Sequence, residues 1–227
     1  RKLDTLVLAD RHLDHDARSL TWMASIWLST AISSHPTPGR PMSFDAWLEL
    51  SEEEPGELVD GRLEEEEVPD AVHELAVSWL IALLRTWLAG SGFVLGSEAK
   101  LAITSTRGRK ADLAVYFPGR TPPPRRGPLR EPPDLLVEVV TPTPRDERRD
   151  RVEKMNEYAA FGVRNYWLVD PALGTFEVFL LDGSGRYVKA LGRTAGRIDE
   201  VTGCQGLTLD LDDLWAELER LGPASTE

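Results

Sequence analysis

The sequence predicts a mixed β-sheet flanked by helices, an α/β (α+β) fold, and three observations carry the prediction. Apolar residues recur with helical period from Val72 to Trp87. The pattern then shortens to strand-like runs between Phe93 and Val140. A second helical stretch ends at Gly162 and is followed by more strands and a closing helix. With 227 residues, 41% of them hydrophobic, the chain can bury one sizeable core, so one domain with appendages is expected.

Residues 1–41 differ from the rest. The uncharged run Leu20 to Ile32 has thirteen residues, short of the roughly 20 that span a bilayer, and no small-residue cleavage site follows it. The expectation is an N-terminal extension, disordered or non-native, ending in the breaker-rich His35-Pro-Thr-Pro-Gly-Arg-Pro41. A folded unit over 42–222 and a tail over 223–227 complete the expected organisation, with no membrane partner.

Ser43 suits the N-cap of a short helix, Phe44 to Leu50, because its hydroxyl can accept a free N–H of the first turn. That helix stops in the solvated acidic run Glu52 to Glu54. In Glu57-Leu-Val-Asp-Gly-Arg-Leu63, Asp60-Gly61 signals a two-residue hairpin, since both residues tolerate positive φ. Asp70 caps the longest helix, whose stripe is Val72, Leu75, Ala76, Trp79, Leu80, Leu83, Leu84 and Trp87, and Gly90 stops it. Strands are expected at Phe93 to Leu95, Glu98 to Ile103 and Asp112 to Phe117, with a turn at Ser105 to Arg109. The proline-rich stretch Pro118 to Pro133 reads as a mobile basic loop.

Asp134 to Val140 is a nearly continuous apolar run, the mark of a strand buried on both faces. A helix from about Asp146 to Phe161 ends at Gly162, which suits the left-handed position after a helix. Strand Asn165 to Val169, a turn at Asp170-Pro171, a hairpin from Thr175 to Leu191 around Asp182-Gly183 and a helix from Asp212 to Leu221 follow.

Charge is unevenly distributed. The net charge of −12 argues against a nucleic-acid partner, because affinity for phosphates comes largely from Lys and Arg. Yet residues 45–67 hold eleven acids against Arg62, whereas residues 107–130 hold seven bases against Asp112. The single cysteine, Cys204, forms no internal disulfide and no Cys/His group has zinc spacing, so a reducing, cytoplasmic setting is expected.

The chemical anomaly is Glu138 inside Leu-Leu-Val-Glu-Val-Val. A buried carboxylate must be protonated, paired with a cation or bound to a metal. Strand alternation puts Asp112, Ala114 and Tyr116 on one face, and Leu136, Glu138 and Val140 on one face of their own strand. If the two strands are neighbours, both carboxylates converge, and two carboxylates with waters suit Mg²⁺ or Mn²⁺. A lone helix lysine is ordinarily a solvated charge, but Lys154 lies at the edge of an inward face with Met155, Tyr158 and Ala159 and can reach toward the acids.

Taken in order, Glu57-Leu-Val-Asp-Gly, His73, Lys110-Ala-Asp112, Pro133-Asp-Leu-Leu-Val-Glu138-Val-Val-Thr-Pro, Asp150-x3-Lys154-x3-Tyr158 and Gly162-Val-Arg-Asn-Tyr-Trp-Leu-Val-Asp-Pro171 resemble the Uma-type restriction endonuclease family. That family is a branch of the PD-(D/E)xK nuclease superfamily, and the resemblance runs from about Met42 to the C-terminal helix. It implies a restriction-endonuclease-like fold, with Asp112 and Glu138 as metal ligands and Lys154 as the catalytic lysine moved onto a helix. Val140 stands where the superfamily's usual lysine sits, and Ala111 where its proline sits.

Glu57 is weighed as a third metal ligand against pairing with an arginine. His73, in the first helical turn where the helix dipole favours a neutral imidazole, is weighed as a substrate or supporting residue against a structural one. Arg109, Lys110 and Tyr158 are assigned to the substrate side, with Arg107, Arg125 and Arg126 holding the DNA backbone. The implied activity is Mg²⁺- or Mn²⁺-dependent hydrolysis of DNA, in a possible homodimer. The alternative is a catalytically silent nuclease fold that binds DNA or protein. A glycosidase reading of the acids is disfavoured, because few of the seven tryptophans are free to hold a sugar.

Overall fold

The computed structural model describes residues 39–50, 56–65, 69–97 and 99–222. The body of the expected extension, the acidic run Glu52 to Glu54, Glu98 and the tail from residue 223 lie outside the described residues. The chain forms the mixed α+β architecture that its patterning predicts, in two large sheets. The first sheet has the order β1-β3-β2-β6-β5 and is built from β1 (Arg40–Pro41), β2 (Glu57–Val59), β3 (Arg62–Glu64), β5 (Lys100–Thr104) and β6 (Arg107–Lys110). The second has the order β11-β10-β9-β8-β7-β4. Its strands are β4 (Phe93–Leu95), β7 (Leu113–Tyr116), β8 (Leu135–Val139), β9 (Asn165–Asp170), β10 (Thr175–Leu181) and β11 (Tyr187–Arg193). A small pair, β12 (Arg197–Ile198) with β13 (Leu209–Asp210), follows.

Local chemistry explains most boundaries. Ser43 caps α1 (Phe44–Leu48) by accepting from the Ala46 N–H. Asp60 and Gly61 take positive φ and turn β2 into β3. Asp70 caps α2 (Ala71–Leu88) by accepting from the His73 N–H at 2.8 Å. The helix ends one residue earlier than the glycine implies, because Ala89 already takes the left-handed conformation before Gly90. Among the described helices, α2 is long and apolar enough by composition to cross a membrane, but its stripe of Ala76, Val77, Leu80, Leu84 and Leu88 is buried in the core.

Two expectations change. Residues 107–109 are not a turn: Thr104 and Thr106 close a tighter one, and Arg107–Lys110 forms β6. The basic loop is held at several points. Leu129 is buried and bridges to Leu101, with its N–H on the Lys100 carbonyl, while Tyr116 donates to the Glu131 carbonyl.

The β8 and β9 strands are parallel, so the chain must cross over between them, and it does so through helices. Thr143 caps α3 (Pro144–Arg148), a wider π-helical turn spans Arg149–Lys154, and α4 (Met155–Phe161) ends at Gly162 with φ 95°. The second sheet is therefore covered on both faces. On one face Leu113, Val115, Leu135, Val137 and Trp167 pack with α2 and with α5 (Leu211–Glu219). On the other, Ala114, Tyr116, Leu136 and Leu168 pack with Tyr158, Leu101 and Leu129. The two acids share the parity of this second face.

Trp47 of α1 pins that helix to β6. Its ring is fully buried, its indole N–H donates to the Gly56 carbonyl at 3.0 Å, and a Cβ at Gly108 would lie 2.2 Å from the ring. Gly108→Ala is therefore expected to destabilise the fold by roughly 1–3 kcal/mol through overpacking. Gly96→Ala, where an added Cβ meets nothing within 4 Å, should change little. Urea unfolding of the two variants checks this.

Candidate active site

The antiparallel register pairs Leu113 with Val137 and Ala114 with Leu136. One step further, Asp112, immediately before β7, stands across from Glu138 in the middle of β8, and the pleat turns both side chains to the same face. Both line a cavity of about 110 Å³, together with His73, Lys110, Arg149, Asp150 and Lys154.

Glu138 is 2% exposed. Its Oε1 accepts from the Tyr158 hydroxyl at 2.7 Å and its Oε2 from Lys154 Nζ at 3.1 Å. Burial pushes its carboxyl well above the ordinary value; Lys154 pulls it back, while Asp112 and Asp150 push it further up. Lys154, at the end of the π-helical turn, is itself 4% exposed. Its ammonium lies 3.5 Å from both Glu57 and Asp150 and donates to the Lys110 carbonyl. Burial disfavours its charge, but Glu138, Glu57 and Asp150 outweigh that and raise its pKa, so it stays protonated. The edge lysine of the sequence pattern is thus a buried cation.

Asp112 accepts from the Val139 N–H at 2.6 Å, and His73 Nε2 lies 3.2 Å from the same oxygen. Burial alone would lower the His73 pKa. Its bond to Asp112 and that charge raise it instead, in the direction opposite to the effect of the helix dipole.

Three residues assigned to the metal or substrate sit elsewhere in the arrangement. Arg109 is 1% exposed and turned inward: Nη1 donates to Glu57 Oε2 at 2.7 Å, while Nε and Nη2 grip Glu157 at 2.7 and 2.8 Å. That fork leaves it no reach to substrate. Glu57 also accepts from the Lys110 N–H at 2.9 Å, and unlike Glu138 it is not among the cavity-lining residues. Tyr158 is fully buried beneath Glu138 and orients that carboxylate. Lys110 remains among the cavity-lining residues, and it also borders a groove of about 420 Å³ with Arg125 and Arg126.

Two lining residues received no role from the sequence. Asp150 and Arg149 line the cavity from the π-helical turn, with Arg149 Nε and Asp150 Oδ1 in a long ion pair at 3.5 Å. The available signal was the Asp150-x3-Lys154 spacing, which puts two chargeable residues on one helix face. Among the described residues no three of His, Cys, Asp and Glu are gathered as a ready-made metal cluster. The Lys154 ammonium stands between the carboxylates instead.

Burial would raise the Glu57 carboxyl, but Lys154, Arg109 and Arg149, with the Lys110 N–H, bring it down to about 2. A carboxyl lowered on folding stabilises the fold above its ordinary value, and that contribution is lost as pH falls from 4.5 toward 2. Its size is about 3 kcal/mol at neutral pH, at about 1.4 kcal/mol per unit. Glu57→Gln is expected to cost that amount at pH 7 and progressively less below pH 4.5, read by chemical denaturation across pH.

A family model described as "Putative restriction endonuclease", Uma2, matches residues 42–212. No curated protein matches the chain. Among solved structures, the crystal structure of a putative nuclease belonging to DUF820 from Anabaena variabilis ATCC 29413 is similar, with a TM-score of 0.61 and 18% identity. The likeness covers 78% of this chain and 99% of that one and is a likeness of fold. Because the family match spans most of the sequence, the chain belongs to the Uma2 family of restriction-endonuclease-like proteins.

Proposed function

We propose that the chain is a metal-dependent endonuclease that hydrolyses DNA phosphodiester bonds at the cavity walled by Asp112, Glu138 and Lys154. The observation that carries the reading is a buried glutamate, Glu138, bonded to a buried lysine and facing Asp112 across a strand pair. Asp112 and Glu138 offer oxygen donors alone, which suits Mg²⁺ or Mn²⁺, and they would hold the ion. Asp112 and Asp150 both repel charge on Glu138, a repulsion that a bound divalent cation would relieve. Such an ion, when bound, lowers the pKa of a water and polarises the phosphoryl oxygen.

The chain's own residues prepare the rest. Tyr158 and Lys154 fix the plane of the Glu138 carboxylate, and the Val139 N–H and His73 fix Asp112. Lys154, protonated and held from four sides, offsets charge that grows on the phosphate. Lys110, Arg125 and Arg126 face the adjoining groove and hold the nucleic-acid backbone without reading bases. With one such cavity per chain, cutting both strands of a duplex takes two copies.

One observation favours a silent nuclease fold that binds DNA or protein. The Lys154 ammonium lies 3.1–3.5 Å from three carboxylates and supplies part of the neutralisation a metal would provide. Nicking of supercoiled plasmid separates the two readings. The wild type is expected to nick with Mg²⁺ or Mn²⁺ and stop when the ion is chelated. Asp112→Ala, Glu138→Ala and Lys154→Ala should each lose on the order of 10²-fold or more. Nicking that survives both acid substitutions sinks the site, and plasmid binding without nicking selects the silent reading.

A further inference from the structure

A nuclease cavity needs a cation that meets the substrate phosphate directly, and most bases here are already committed. Arg109 is enclosed between Glu57 and Glu157. Lys154 is spread over Glu138, Glu57, Asp150 and the Lys110 carbonyl. Arg149 differs. Its Nη2 is anchored on Asp146, the fully buried acid in the first turn of α3, and this fixes the guanidinium plane. Arg149 lines the Asp112 and Glu138 cavity with a side chain 16% exposed, against 4% for Lys154, and its Nε makes only a long ion pair with Asp150 Oδ1, 3.5 Å away.

A guanidinium that keeps some exposure at a cavity wall can take a further anion, and a phosphodiester presents two acceptor oxygens in a geometry that suits an arginine fork. We propose that Arg149 is the cation that binds the substrate phosphate in this cavity, an inference that rests on the nuclease reading and assigns its phosphate-contacting residue. The π-helical turn places Arg149 beside Asp150, while the exposed Val152 points away. Asp146 acts through Arg149 as a positioning residue.

The test compares the wild type, Arg149→Gln and Arg149→Lys in two assays: binding of a labelled DNA duplex with Ca²⁺ over a range of salt, and Mn²⁺-dependent plasmid nicking. Arg149→Gln is expected to reduce the slope of log affinity against log salt by about one, as loss of one phosphate contact does. It should also slow nicking by about 10²-fold. Arg149→Lys keeps a charge for Asp146 but has no planar fork; it should retain the salt slope and still nick at least roughly tenfold slower. A lysine variant as fast as the wild type, or a folded glutamine variant with unchanged slope and rate, overturns the assignment while leaving the nuclease reading standing. A wild type that neither binds nor nicks DNA overturns both.

Discussion

The structure depends on one buried ion pair. Glu138 occupies a strand whose five residues are all buried, and a bare carboxylate there would be untenable. Lys154 makes it possible, and in doing so links parts of the chain distant in sequence. The lysine comes from the crossover helices, the glutamate from the centre of the second sheet, and Glu57 and the Lys110 carbonyl from the first. The same contacts that make the acid tolerable dock the crossover onto the face where Asp112 also lies.

A second buried network supports the first. Arg109 spans Glu57 and Glu157, tying β2, β6 and α4 together, and Arg107 adds a contact to Glu157 at 3.1 Å. Removing one partner of such a group leaves a charge stranded away from water, which costs far more than the loss of a surface pair. The opposed pKa directions of Glu57 and Glu138 follow from their neighbours. Glu57 has three cations and a backbone N–H acting on it, whereas Glu138 shares Lys154 and faces Asp112 and Asp150. One acid is therefore a structural anchor, and the other is poised at the cavity.

The charge polarity of the chain also changes meaning in three dimensions. The basic stretch 107–130 reads as a single phosphate-binding feature, but the fold divides it. Arg107 and Arg109, two apart on β6, both pair with Glu157, and Arg107 also pairs with the exposed Asp60, while Lys110, Arg125 and Arg126 border an open groove. Arg149, outside that stretch, reaches the cavity because its helix widens by a π-helical turn, and no local composition signals such a turn.

Much of the fold was legible in the sequence. The caps at Ser43 and Asp70, the Asp60-Gly61 hairpin, the stripe of the long helix, the apolar run around Glu138 and the stop at Gly162 are local effects, decided by residues within a turn or two of one another. The parity that places Asp112 and Glu138 on one face is likewise local, since successive side chains of a strand must alternate. Other features depended on contacts between residues roughly 20 to 100 positions apart, which no local pattern encodes. These include the division into two sheets, the strand at 107–110, the inward turn of Arg109 and Glu57, the burial of Tyr158 under Glu138, and the arrival of Arg149 and Asp150 at the cavity. By itself the sequence determined the elements and the presence of an acid that needed a partner. Only the tertiary structure decided which cations satisfy the acids and which of them line the cavity, because pairing among buried charges is settled by distance in space.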